Sequence, residues 1–173
     1  LILNEADFQQ TIEKCYDKAK DQDKLITLGI RPTRPETGYG YIQYIEGKHA
    51  LKKVKTFTEK PVLALAKTFL ESGEFVWNAG IFVWGVKAIH SAFHKYLPEM
   101  AEVFEEAATR FGTPEEKKAL QAAYSQTKNI SIDYGIMEKA DNVHVWLSSF
   151  AWSDLGSWNS LHDNSIKDRD NNA

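Results

Sequence analysis

Residues 75–84, FVWNAGIFVW, constrain the fold most because they form the most apolar run of the chain. A strand with one solvated face alternates apolar and polar side chains, whereas a strand covered on both faces is nearly continuous in its apolar character. We therefore expect a buried strand here, with a layer of other elements packed on each side.

Helix and strand patterns alternate along the rest of the chain. Helical spacing of apolar residues, together with capping residues, Pro and Gly, predicts helices at 7–20 with Asp7 as the cap, 61–72, 86–97, 99–111, 115–126 and, capped by Ser131, 132–140. Apolar extended segments predict strands at 24–30, 41–46, 51–59, 75–85 and 143–148. This alternation indicates a layered α/β fold with a largely parallel sheet, present as one domain over 1–173 with a frayed tail at 166–173.

Bulk properties exclude several classes of protein. The net charge of -3 comes from interspersed acids and bases, which gives no footprint for nucleic acid or an anionic membrane. No apolar run reaches the ~20 residues of a membrane span. The single cysteine, Cys15, forms no internal disulfide, so we expect a reducing compartment, by default the cytoplasm. Small molecules are the expected partners, and a homo-oligomer remains open.

Two segments at predicted strand ends carry groups that suit a ligand. In ETGYGY, Gly38 and Gly40 let the backbone approach a bound molecule closely. In TEKP, Glu59 and Lys60 follow a strand, where neighbouring side chains point to opposite sides and need not pair with each other. A carboxylate accepts hydrogen bonds from hydroxyls and an ammonium neutralises a phosphate. A turn-forming glycine loop and a solvated charge pair are the alternatives.

Three further polar residues stand in apolar surroundings. Asn78 lies within the apolar strand and must be hydrogen-bonded, either to the protein or to a ligand, while Gly80 indicates a bulge or a close approach. Asp154 lies among aromatic residues in FAWSDLGSW, so we expect a strong partner such as Mg²⁺, or else a helix cap near Gly156. Asp133 is a weaker candidate of the same kind.

Other catalytic chemistries have little support. His90 and His94 are spaced for one helix face, but the sequence offers no HExxH context or third ligand, so a zinc site is not predicted. Cys15 has no base nearby in the sequence, and there is no nucleophile elbow or P-loop.

Five segments in order resemble mannose-1-phosphate guanylyltransferases, the GDP-mannose pyrophosphorylase group of the sugar-nucleotidyltransferases. They are RPTRPETGYGYI, FTEKP, WNAGIFVW, SIDYGIMEKA and WSDLGSW. The resemblance implies a Rossmann-like nucleotide-diphospho-sugar transferase fold with a mostly parallel or mixed sheet flanked by helices. It also implies a reaction in which mannose 1-phosphate and GTP give GDP-mannose and pyrophosphate with Mg²⁺ or another divalent cation.

The resemblance also implies roles for the candidate residues. Lys60 and Asp154 are the expected catalytic residues, with Lys60 on the sugar phosphate and Asp154 on the metal. The expected substrate-binding residues are Gly40, Glu59, Lys60, Asn78, Gly80 and Asp133.

One family feature is absent from these residues. No GxGxRLxPLT-type glycine-rich loop for the triphosphate occurs, nor does an Asp expected shortly before residue 1. We therefore expect a partial domain without its N-terminal nucleotide-binding half, inactive alone. The alternatives are a non-catalytic sugar-phosphate-binding module and a pyrophosphorylase for another sugar 1-phosphate.

Overall fold

The computed structural model describes residues 1–170 and 172, which form helices on both faces of one sheet. The helices are α1 (Glu5–Ala19), α2 (Leu63–Ser72), α3 (Val86–Tyr96), α4 (Pro98–Ala108), α5 (Glu116–Gln126) and α6 (Trp158–Asn164), with a π-helix at Asp133–Met137. The strands are β1 (Leu25–Ile30), β2 (Tyr41–Tyr44), β3 (Leu51–Thr58), β4 (Phe75–Trp84) and β5 (Val143–Leu147).

The sheet is mixed and mostly antiparallel, so the prediction of a largely parallel sheet is wrong. Among the described strands the order is β1-β4-β2-β3-β5, and β5 also pairs with β1, which closes the sheet. Only the β1–β5 pair is parallel within these residues. The physical reason is local: β2 and β3 are joined by the short segment 45–50, and so short a connection only allows antiparallel pairing.

Two apolar clusters cover the two faces of the sheet. Every residue of β1 is buried, and its side chains alternate between the clusters, with Ile26 and Leu28 in one and Leu25 in the other. α1 and α2 contribute to the first cluster, whereas α3 and the π-helix contribute to the second. The expected two-sided cover of β4 is confirmed for residues 76–79, and the later part of β4 is half-buried.

Several predicted boundaries shift by a few residues. α1 begins at Glu5 because the Asn4 side chain, rather than Asp7, caps it by accepting from the Asp7 amide at 3.1 Å. α2 begins at Leu63 instead of Pro61 and ends, as predicted, at Gly73, which has a left-handed φ of 70°. The segment 132–140 contains a π-helix rather than a regular α-helix.

The two ends of the chain differ in structure. Residues 1–3 lie antiparallel to 151–153, with a bridge between Ile2 and Trp152. Residues 166–170 of the predicted tail have no helix or strand, and residues 171 and 173 lie outside the described part. No described helix combines the length and the apolar character that a membrane crossing requires.

Gly29 provides a test of the packing between the strands. A Cβ built on Gly29 would lie 2.6 Å from Val145 Cγ2 and 2.7 Å from Val76 Cγ2. We expect Gly29→Ala to lower the free energy of unfolding by about 1–3 kcal/mol, the usual cost of overpacking. Denaturant unfolding followed by circular dichroism measures this loss.

The matched control is Gly47→Ala, because a Cβ on Gly47 has no atom within 4 Å. Its free energy of unfolding should stay within about 0.5 kcal/mol of wild type. Equal stability of the two variants would contradict the packing described for β1.

Candidate active site

The loop between β1 and β2 brings Gly40 against two other segments. Its carbonyl accepts from the Asn78 amide of β4 at 2.8 Å. A Cβ built on Gly40 would lie 2.5 Å from Oε2 of Glu59 and 3.2 Å from Cβ of Asn78. Glycine at position 40 therefore leaves the Glu59 carboxylate room beside the loop.

Glu59 and Lys60 form an ion pair, contrary to the prediction that they need not meet. Lys60 Nζ lies 3.5 Å from Glu59 Oε1. The alternation expected of an extended chain is broken because Lys60 has a left-handed φ of 46°, which turns its side chain back toward Glu59. The Lys60 side chain is 58% exposed and the Glu59 side chain only 9% exposed, so the cation lies at the surface above a nearly buried acid.

The Glu59 carboxylate is only half satisfied. Its Oε2 is buried and accepts no hydrogen bond from any residue in the described part of the chain. Burial, followed by the negative charge of Asp133, raises the pKa of Glu59 above its ordinary value, and Lys60 partly opposes the shift. An acceptor of this kind favours a ligand that brings hydroxyl donors.

Asn78 is held entirely by the protein in this structure. Its Oδ1 accepts from the Thr27 hydroxyl at 2.7 Å and from the Gly80 amide at 3.2 Å, and its Nδ2 donates to Asp133 Oδ1 at 2.9 Å. Gly80 has a φ of 68°, a conformation that glycine adopts most readily and that belongs to an irregularity in the β1–β4 pairing. The side chain of Asn78 thus orients Asp133.

The π-helix brings two acids beside Glu59. Asp133 is its first residue, and the Asp133 carbonyl accepts from the Glu138 amide at 2.9 Å, which closes the wide turn. Burial raises the pKa of Asp133. Glu138, which sequence reasoning missed, accepts from the Glu59 amide at 2.8 Å through Oε1. Single-turn π-helices are common at functional sites.

Asp154 is exposed, so the prediction of an apolar setting is wrong. Its neighbour Trp158 is 86% exposed because the segment after Asp154 lies on the surface. Asp154 is not a helix cap either, since the Ser157 side chain caps α6. Its Oδ1 accepts from the Tyr39 hydroxyl at 2.6 Å and from the Gly156 amide at 3.1 Å.

Tyr39 connects Asp154 with the other candidate residues, and sequence reasoning missed it. Its hydroxyl binds Asp154, while its carbonyl accepts from the Lys60 amide at 3.2 Å. The ring is buried edge-on against Trp77 and Trp152, with ring centroids 5.2 Å away in each case. Burial, with the nearby Asp154 carboxylate, raises the pKa of Tyr39 to about 12, so its hydroxyl stays a donor. Its place between two loop glycines was the available signal.

The structure therefore gathers the predicted substrate-binding residues through direct contacts and joins Asp154 to them through Tyr39. Comparison with known proteins identifies the family of this chain. A profile described as Nucleotidyl transferase matches residues 2–171. The chain belongs to this family.

Curated relatives include mannose-1-phosphate guanylyltransferases. The protein of that name from Sinorhizobium fredii is 37% identical, and the match covers 100% of this chain and 36% of the relative. The one from Klebsiella pneumoniae is 35% identical, and the match covers 100% of this chain and 38% of the relative. The xanthan biosynthesis protein XanB of Xanthomonas campestris is 40% identical over 100% and 37%. The chain thus spans well under half of the length of these relatives.

Solved structures share the fold. A Thermus thermophilus protein described as a mannose-1-phosphate geranyltransferase has a TM-score of 0.82 and 33% identity, over 94% of this chain and 46% of its own. A Helicobacter pylori protein described as a mannose-6-phosphate isomerase has a TM-score of 0.74 and 28% identity, over 89% and 60%. The sugar-nucleotide transferase type of α/β fold is confirmed, whereas a missing N-terminal half stays a prediction.

The burial of Glu59 has a consequence for stability. Because its pKa is raised in the folded state, the ionised carboxylate opposes folding at pH 7, and this penalty disappears as the pH falls and Glu59 takes up a proton. We expect Glu59→Gln to raise the midpoint of thermal unfolding at pH 7, and the gain to shrink toward pH 4.

The control for this measurement is Glu71→Gln, an exposed residue of α2. Scanning calorimetry at both pH values should give this variant the wild-type midpoint. A Glu59→Gln variant that is less stable than wild type at pH 7 would contradict this reading, because the ionised carboxylate would then stabilise the folded state.

Proposed function

We propose that this chain forms the sugar 1-phosphate site of an enzyme that makes GDP-mannose and pyrophosphate from GTP and mannose 1-phosphate. The observation that carries the proposal is the Glu59 carboxylate, whose Oε1 faces the exposed ammonium of Lys60 and whose buried Oε2 has no hydrogen-bond partner among the described residues. A sugar phosphate supplies the two groups that this pair lacks, hydroxyl donors and an anion. The names of the curated relatives favour mannose and guanosine as the sugar and the base.

The sugar would be bound by the groups around Glu59. Glu59 accepts hydrogen bonds from mannose hydroxyls, Gly40 leaves room for the Glu59 carboxylate, and the backbone of Gly80 is exposed. Asn78 acts through Asp133, whose carboxylate it holds in place at 2.9 Å. Each hydroxyl donor is most effective while the carboxylate is ionised, because hydrogen bonds to charged acceptors are the stronger ones.

Lys60 would bind the phosphate of the sugar. Its ammonium sits at the surface next to the sugar site, and its backbone is fixed by the hydrogen bond to Tyr39 and by the left-handed φ. A lysine neutralises a phosphate as a point charge. In the reaction it lowers the repulsion between the sugar phosphate and the triphosphate.

Asp154 fits a divalent cation, for which we propose Mg²⁺. Its Oδ1 is used by Tyr39 and Gly156, while Oδ2 accepts no hydrogen bond from the described residues. Mg²⁺ is usually held by one or two carboxylates together with substrate phosphates. The bound ion would supply Lewis-acid stabilisation of the negative charge that develops on the phosphates.

The reaction needs no protein nucleophile. A phosphate oxygen of mannose 1-phosphate attacks the α-phosphorus of GTP, a new P–O bond forms, and pyrophosphate leaves. The chain's residues orient the attacking phosphate and neutralise its charge, so catalysis arises from positioning and electrostatics.

Cys15 takes no part, because burial raises the pKa of its thiol to about 12. Such a free thiol agrees with a cytoplasmic location.

Titration calorimetry of the chain with mannose 1-phosphate tests the proposal. We expect Lys60→Met to weaken binding by about 10- to 100-fold, the worth of a hydrogen bond to a charged group. Lys67→Met, which removes an exposed lysine of α2, should bind like wild type. Stronger binding of GTP than of mannose 1-phosphate by the wild-type chain would overturn the proposal.

The metal is tested by repeating the titration with and without Mg²⁺. We expect Mg²⁺ to tighten binding of mannose 1-phosphate to the wild type, and Asp154→Asn to remove this enhancement while leaving the metal-free affinity in place. Asp21→Asn removes an exposed acid elsewhere and should keep the full enhancement. The same enhancement in Asp154→Asn would exclude Asp154 as the ligand.

A further inference from the structure

Three metal-ligating side chains converge on the surface formed by α3 and α4. His90 and His94 lie one turn apart on α3, and Glu105 reaches them from α4. The sequence prediction that no third ligand accompanies the histidines is therefore wrong, because packing of the two helices supplies it. Nothing in the proposed sugar site uses these residues.

The spacing of the three ligand atoms is close to that of a metal coordination shell. Nε2 of His90 and Nε2 of His94 are 3.4 Å apart, and Oε1 of Glu105 lies 3.2 Å from the first and 2.8 Å from the second. Zn²⁺ binds histidine nitrogen and carboxylate oxygen at about 2.0–2.2 Å, so two ligands of a tetrahedral ion are about 3.3–3.5 Å apart. The contact of 2.8 Å between His94 and Glu105 is shorter than this spacing, so an ion between the three atoms requires the exposed Glu105 carboxylate to move away from His94 by about half an ångström.

We propose that His90, His94 and Glu105 form a binding site for a transition-metal dication, with Zn²⁺ as the ion of choice. Two imidazoles and one carboxylate suit Zn²⁺, whereas Mg²⁺ prefers oxygen ligands alone. The site is thus chemically distinct from the cation site proposed at Asp154. By joining two helices it stabilises the packing of α4 against α3.

Hydrogen bonding alone accounts for this arrangement less well. A single carboxylate oxygen faces both imidazoles, and the two Nε2 atoms also face each other at 3.4 Å. Each Nε2 carries at most one proton, so at most two of the three contacts can be hydrogen bonds at the same time. A dication satisfies all three atoms at the same time.

Three protein ligands leave one tetrahedral position open. The cluster lines the edge of a cavity of about 810 Å³ between α3, α4 and α5, whose wall is otherwise mainly apolar, with Phe93, Phe104, Tyr124 and Ile130. The open position is available to water or to a small anion.

Calorimetric titration of the whole chain with Zn²⁺ and with Mg²⁺, together with the visible spectrum of the Co²⁺ form, tests the site. We expect one Zn²⁺ per chain, no comparable Mg²⁺ binding at these residues, and the intense visible bands of tetrahedral Co²⁺. His94→Gln and Glu105→Gln should each weaken Zn²⁺ by at least about tenfold, since even partners of metal ligands contribute about 10- to 100-fold. His49→Gln removes an exposed histidine of the 45–50 segment and should bind Zn²⁺ like wild type.

Thermal unfolding gives an independent readout. Zn²⁺ should raise the midpoint of the wild type and of His49→Gln by mass action, but not the midpoints of His94→Gln and Glu105→Gln. Unfolding without Zn²⁺ establishes that all three variants are folded, as expected for exposed side chains. Wild-type affinity in His94→Gln and Glu105→Gln, octahedral Co²⁺ spectra, or no Zn²⁺ bound at all would each overturn the proposal.

Discussion

The candidate site depends on one electrostatic constraint, the burial of the Glu59 carboxylate without a full set of partners. An ionised group that leaves water loses far more solvation than a single surface lysine returns. The surroundings are packed, since the buried residues Phe57 and Asn78 lie, like Glu59, against Gly40. In the proposed function a polyhydroxylated anion would provide the missing compensation, so the local instability and the affinity for this ligand would have the same cause.

Backbone irregularities deliver the other groups to this carboxylate. The left-handed φ of Lys60 points its ammonium back over Glu59, and the irregular β1–β4 pairing at Gly80 directs the Asn78 amide toward Asp133. The π-helix adds one residue to a turn and so presents Asp133 on the same side as Glu138. Each of these features departs from ideal geometry, as expected where function rather than stability selects the conformation.

The sequence predicts where the helices and strands lie better than it predicts which of them are in contact. Apolar periodicity and glycine stops located the helices and strands, because these signals act over a few residues. The antiparallel pairings and the proximity of Glu105 to His90 depend on how separate elements pack together, which no local pattern records. Asp154 was predicted to be enclosed because its aromatic neighbours are apolar, yet Trp158 points to solvent, and an isolated exposed aromatic carries no sequence signal.

In the proposed function, mannose 1-phosphate binds at the Glu59 carboxylate. An NMR titration of the ¹⁵N-labelled chain with this ligand tests it most directly, because backbone amides report binding residue by residue. We expect the largest shifts at Gly40, Lys60 and Gly80, with saturation at a common concentration. Shifts confined to α3, α4 and α5, or no saturable shift at all, would contradict it.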